Sequence, residues 1–264
     1  MKLPQHLAAP TLLSVAIFLT STVSTAHAAL VYSQDFNTFT PGATDLGDGS
    51  TITSTTSVAS VITDQGYTAL RLTADGVGST DSEWTLPDLN PGGEVTSFTA
   101  SFDLLLYTAG GTTAADAFWF QFGDGSNDYQ NSRLGIGFIT YTTNQIQVWS
   151  SGTQIGGSYG TPAVYIDTFS DKFKSTTISW NETDGLSLSY GGTSLATNLS
   201  IPGFDPVSGD VFSFRAWTGA ASQIVYLDNV SISTAAVPEP GTAITMILLG
   251  VVGFVGHRRR RQEC

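Results

Sequence analysis

Histidine and cysteine are missing from the whole middle of this chain. Of its 264 residues one is cysteine (Cys264) and three are histidine (His6, His27, His257), all of them in the end segments. Their absence from the centre excludes Ser-His-Asp and Cys-His catalysis, the usual zinc sites, Fe–S chemistry and disulfides. Oxygen chemistry and aromatic faces remain. Positive charge is scarce too: residues 29–233 hold only Arg71, Arg133, Lys172, Lys174 and Arg215 against twenty acidic residues, a formal charge of −15. Such a surface repels a phosphate backbone, so nucleic acid is excluded as a partner. Glutamate is also rare in this region, with only Glu83, Glu94 and Glu182.

The two ends read as addresses. Lys2, the apolar run Leu12 to Leu19 and the small-x-small triplet Ala26-His27-Ala28 predict a signal peptide over residues 1–28. About 200 residues then remain, enough for one domain (29–233) with a core that needs no disulfides. Beyond it lie a linker at 234–241, an apolar stretch at 242–257 read as a transmembrane helix, and a basic tail at 258–264. The apolar stretch is shorter than the roughly 20 residues that cross a full hydrocarbon core. The arginines hold the tail in the cytoplasm and leave the domain outside. Pro238, Glu239 and Pro240, then the apolar span, then Arg258, Arg259, Arg260 and Arg261 closely resemble the PEP-CTERM sorting signal of Gram-negative bacteria. That resemblance implies export, a transient anchor in the inner membrane, an exosortase as processing partner, and delivery to the cell surface or a polysaccharide-rich extracellular matrix. A permanent tail anchor is the alternative.

Between the ends, apolar residues recur with period two. Phe98, Ala100, Phe102, Leu104 and Leu106 alternate with polar neighbours, and Phe118, Phe120 and Phe122 form one row. Further rows run through Leu134 to Phe138, Ile146 and Val148, Ile178 and Trp180, Leu186 and Leu188, Phe212 and Phe214, and Ile224 to Ile232. Gly-Gly, Asp-Gly and Pro-Gly pairs separate them, and no helical period emerges. The pattern predicts an all-β protein, an antiparallel β-sandwich of about a dozen strands.

Several segments resemble concanavalin A-like lectin/glucanase jelly rolls. Ala115-Asp116-Ala117-Phe118-Trp119-Phe120 resembles an Ala-Asp-Gly-Phe-x-Phe strand, and Leu134 to Tyr141 resembles a Val-Glu-Phe-Asp-Thr-Tyr strand. Gly209 to Phe214, with Thr218-Gly219, and Tyr226 to Ile232 resemble the last strands. The resemblance makes Asp116 a sugar-contacting residue. It also implies a metal pair held by a Glu and an Asp, whose positions fall here at Gly137 and Ile139, neither of which can ligate calcium or manganese. Calcium stays open at a different loop, where Asp124, Asn127 and Asp128 lie among glycines, in a pattern that ordinary turns share. No other cofactor is expected.

Sugar binding by stacking needs no metal. Trp119, Tyr141, Trp149, Trp217 and Tyr226 fall on the parity opposite the main apolar rows, with Arg215, which predicts an aromatic sheet face; a covered second minicore is the competing account. The leading expectation is an exported, non-enzymatic surface or matrix protein whose partner is an extracellular polysaccharide. The alternatives are a glycoside hydrolase of the jelly-roll glucanase type, using dispersed carboxylates, and a purely structural or ice-interacting surface protein.

Overall fold

A computed structural model describes residues 29–64, 66–108, 116–125, 130–141, 144–165 and 172–234. Among them every regular element is a strand, and the strands form two sheets. The nine-stranded sheet runs in the order β14 (Thr193–Leu199), β13 (Gly185–Tyr190), β12 (Lys174–Asn181), β6 (Ser97–Tyr107), β16 (Ile224–Thr234), β4 (Tyr67–Thr73) and β3 (Ser60–Asp64). β1 (Ala29–Gln34) pairs with the end of β16, and the two-residue β11 (Val164–Tyr165) runs parallel to the end of β6. The seven-stranded sheet runs in the order β10 (Thr153–Gly160), β9 (Gln145–Ser150), β8 (Leu134–Ile139), β7 (Ala117–Gly123), β15 (Val211–Trp217), β5 (Asp81–Thr85) and β2 (Thr51–Ser54).

The predicted sandwich is therefore what forms, with sixteen strands among the described residues where about a dozen were expected. The additional strands include edges such as β2, β10 and β14, rich in Thr, Ser, Gly and Gln, which hold their place through backbone ladders and show little apolar alternation. β16 runs through Thr234, which pairs with both Ala29 and Phe98, so the last strand takes one residue of the expected linker. No helix among the described residues is long and apolar enough to cross a membrane, and the span expected at 242–257 lies outside them.

The core explains the period-two rows. Phe118, Phe120, Phe122, Phe138, Phe212, Phe214 and Trp84 point inward from the smaller sheet and meet Phe98, Phe102, Ile178 and Leu186 of the larger one. Phe98 lies 5.2 Å from Phe212 and 5.5 Å from Phe122, while Phe102 lies 5.3 Å edge-on from Phe214. Each such ring, buried from water, contributes about 2–3 kcal/mol of transfer free energy, with a further increment from edge-to-face geometry. A framework of this kind needs no disulfide.

One strained place interrupts β16. Its register shifts between Asp228 and Ser231, and Asn229 takes a positive φ of 50°. Asn229 donates to Asp103 on β6, and burial pushes Asp228 up to about 6, against the Asn229 backbone N–H and with the help of Asp103 and Asp35. The folded value exceeds the unfolded one, so this group stabilises the fold below the usual aspartate range and the contribution is lost as pH rises through 6. Asp228→Asn should raise the melting temperature near pH 7.5 by about 2–4 °C, roughly 1 kcal/mol after discounting for partial exposure, and leave it unchanged near pH 4. Thermal melts at the two pH values read this directly.

Candidate functional site

The residues that share the outer face of the seven-stranded sheet follow from its register. One row across the sheet reads Gln147, Gly137, Trp119, Arg215, Glu83 and Thr53. The neighbouring row, one pleat nearer the end where β7 begins and β15 finishes, reads Gln145, Ile139, Ala117, Trp217 and Asp81. Trp149 lies a pleat away on the other side, opposite Gly135.

Four of the expected aromatics divide by exposure. Trp119 is buried, and its ring packs over Gly137: a Cβ built there would meet the ring at 1.6 Å. Trp149 is half-buried, its indole N–H donates to Gln147, and Gln147 in turn donates to Gln145, so the three form a ladder along β9. Trp217 and Tyr141 stand out in solvent, 48% and 47% exposed. Tyr226 is a correction to the single face expected, because it belongs to the other sheet. There it is buried with Ala69 and Leu105 on the outside of β4, β6 and β16, and burial and Asp64 raise its pKa. Parity along a strand gives the face of a sheet but does not say which sheet.

Asp116 sits at the end where Trp217 and Tyr141 are exposed, and its backbone ties them together. Its N–H donates to the Trp217 carbonyl at 3.1 Å, and its carbonyl accepts from Thr140 at 2.9 Å and Tyr141 at 3.4 Å. Its carboxylate lies against Gly219, where a Cβ would fall 2.6 Å from an oxygen. Burial raises its pKa, and the nearby Gly219 backbone N–H opposes the rise. A Cβ on Gly219 would push the Asp116 carboxylate aside, and the Gly219 carbonyl accepts from Ser79 at 2.7 Å, which ties the 75–80 loop to the 217–223 loop. Beneath them Gln223 is fully buried; Thr140 donates to its Oε1, while its Nε2 has no partner.

The wall of this face beyond Arg215 is polar. Arg215 donates through Nε and an outer nitrogen to the two oxygens of Asp81, at 2.8 and 2.6 Å. Thr53, Ser54, Thr55, Asp81, Glu83 and Arg215 line an open groove of about 360 Å³. Burial raises the pKa of Glu83, opposed by the Ser213 hydroxyl and Arg215 and reinforced by Asp81. Asp81 and Glu83 were not among the site residues read from sequence. The signal was available, since two carboxylates at i and i+2 on a strand share a face, but Arg215, 134 residues away, gives the pair its meaning.

The metal positions implied by the lectin resemblance do not fit a metal. The Trp119 ring fills the space over Gly137, Ile139 offers no oxygen, and among the described residues no group of three His, Cys, Asp or Glu could hold an ion. Of the alternative loop, Asp124 is exposed and Asn127 and Asp128 lie outside the described residues, as do Pro238, Glu239, Pro240 and Arg258 to Arg261.

Residues 236–261 match the PEP-CTERM protein-sorting motif. No curated protein matches the chain in sequence. Among solved structures, peanut lectin with a nine-residue peptide is similar at 13% identity and a TM-score of 0.55, over 78% of this chain and 98% of that one. Lectin UEA-II complexed with galactose is similar at 14% and 0.54, over 79% and 100%. The Emp46p carbohydrate recognition domain in its potassium-bound form is similar at 13% and 0.54, over 80% and 100%. The fold is that of the legume-type lectins. A lectin fold and an export signal thus occur in one chain, and the motif marks it for membrane-associated sorting toward the cell surface.

Proposed function

We propose that the protein is an exosortase-processed component of the cell surface or extracellular matrix. It holds a carbohydrate, without transforming it, at the end of the seven-stranded sheet. The single observation that carries this reading is Asp116, whose carboxylate lies against Gly219 and whose backbone is bonded to two residues with solvent-facing aromatic side chains, Trp217 and Tyr141. A carboxylate accepts from sugar hydroxyls, and an exposed indole offers a face to the apolar side of a pyranose. UEA-II with bound galactose and the carbohydrate recognition domain of Emp46p support the class of ligand. Trp119, Trp149 and Tyr226 act as structure in this reading, and Arg215 serves the groove beside the site.

A glycan array with the purified protein tests it. Binding should fall about 100-fold in Asp116→Asn with the fold retained, because the introduced amide cannot replace a charge-assisted acceptor and adds a donor. Binding indifferent to that change would refute the assignment. Binding is also expected to survive a chelator, since Gly137 and Ile139 at the positions implied for metal ligands offer no side-chain oxygen; loss on chelation, restored by calcium, would contradict this. In the sorting half of the proposal, replacing Pro238, Glu239 and Pro240 by alanine should leave the protein in the membrane fraction, where a fractionation blot reads it.

A second reading has one specific observation behind it. Asp81 and Glu83 line one groove, and Glu83 has the raised pKa of a general acid. Release of reducing ends from a polysaccharide by the wild type, lost in Glu83→Gln, would make the protein a glycoside hydrolase.

A further inference from the structure

The groove lined by Thr53, Asp81, Glu83 and Arg215 lies on the same sheet face as Trp217, one strand further toward the edge. Trp217 stands directly opposite Asp81 in the register, so a chain stacked on the indole continues into the groove without leaving the face. Three features fix what the groove can accept. Its cation is already committed, because Asp81 takes two nitrogens of Arg215 at hydrogen-bond distance. One oxygen of its remaining carboxyl has no donor: Glu83 Oε1 is shut off from solvent with no hydrogen-bond partner. The rim from β2 is made of hydroxyls (Thr53, Ser54, Thr55) and carries no charge.

We propose that this groove is a second subsite for the same glycan and that it selects a sugar bearing a free amine. The inference rests on the carbohydrate-binding reading of the Asp116 end and adds the chemical class of the ligand. Asp81, Glu83 and Arg215 together leave the groove one negative charge in excess when Glu83 is ionised, which an ammonium group neutralises. The raised pKa of Glu83 agrees with a carboxyl that lacks such a partner, since an ammonium brought beside it would stabilise the ionised form. A uronate or sulfate would meet Asp81, Glu83 and Asp116 with no uncommitted cation in the groove, inside a domain whose formal charge is −15. The selectivity is for an amino sugar and against an acidic one.

The test compares three oligosaccharides of equal length: a fully N-acetylated hexosamine, the same oligomer partly N-deacetylated, and a uronic acid. The wild type should bind the deacetylated oligomer about tenfold more tightly than the acetylated one, and the uronic acid not at all. Glu83→Gln, nearly isosteric and checked by an unchanged melting temperature, should bring the two hexosamine affinities together. Trp217→Ala should weaken both alike. Equal affinities in the wild type, or a preference for the uronic acid, overturn the groove assignment while leaving the Asp116 site standing. Binding of no glycan overturns both. Reducing ends released by the wild type and not by Glu83→Gln also overturn it, because Glu83 would then be a catalytic acid.

Discussion

Gly137→Ala should cost about 3 kcal/mol of stability, at the top of the usual range for overpacking, and the loss should nearly vanish in a Trp119→Ala background. A Cβ on residue 137 would lie 1.6 Å from one ring carbon of Trp119 and 2.3 Å from another. No adjustment of a few tenths of an ångström removes such a clash, so the indole must leave its place. The ring cannot swing freely, because Trp119 is buried on the face with Arg215 and Gly137 as its register neighbours. Removing the ring by Trp119→Ala costs about 3–5 kcal/mol on its own and opens the space the methyl group needs. In that background alanine at 137 is neutral or slightly favourable, since glycine inside a strand carries an entropic penalty. Urea unfolding of the four proteins in the cycle gives the coupling energy. A Gly137→Ala protein as stable as wild type would mean that the indole does not rest on Gly137, and the account of why metal carboxylates are absent here would lose its basis.

Trp217→Ala should behave in the opposite way. Nearly half of this side chain is exposed, so its removal changes stability by less than about 1 kcal/mol. Its effect falls on binding, where loss of a central tryptophan anchor costs about 2–3 kcal/mol, or roughly 30- to 100-fold in affinity. Two tryptophans on one sheet face, one pleat and one strand apart, are thus expected to separate into a residue that holds the sheet and a residue that holds the proposed ligand. If Trp217→Ala melted like Trp119→Ala while binding was unchanged, the indole would be part of the structure.

The contrast between these two residues shows how far the sequence reaches. Phe118, Phe120 and Phe122 gave the inward face of β7 by alternation alone, and the Ala115 to Phe120 segment pointed to a lectin-like strand. Period two also put Trp119 and Tyr226 on outward faces, correctly in each strand. It could not tell that Tyr226 belongs to the larger sheet, because sheet membership depends on pairing between segments far apart, such as β16 with β6 and β4. Nor could it tell that Trp119 is covered and Trp217 is not, since what lies over an outward side chain is supplied by other strands. The Asp116 end was legible as a residue and invisible as a site, for its partners Gly219, Trp217 and Tyr141 arrive from β15, from the loop after it and from the end of β8. The edge strands β2 and β10 left little periodic trace. Their threonines, serines and glycines suit a solvated edge and a turn equally well.

The central claim is that a glycan sits between Asp116, Trp217 and Tyr141. It is tested most directly by titrating the protein with the glycan that array binding selects and following its five tryptophan indole N–H resonances. The account predicts a large shift at Trp217, a smaller one at neighbouring Trp119, and none at Trp84, Trp149 or Trp180. Shifts centred on Trp149, or saturable binding that leaves Trp217 unmoved, would contradict it.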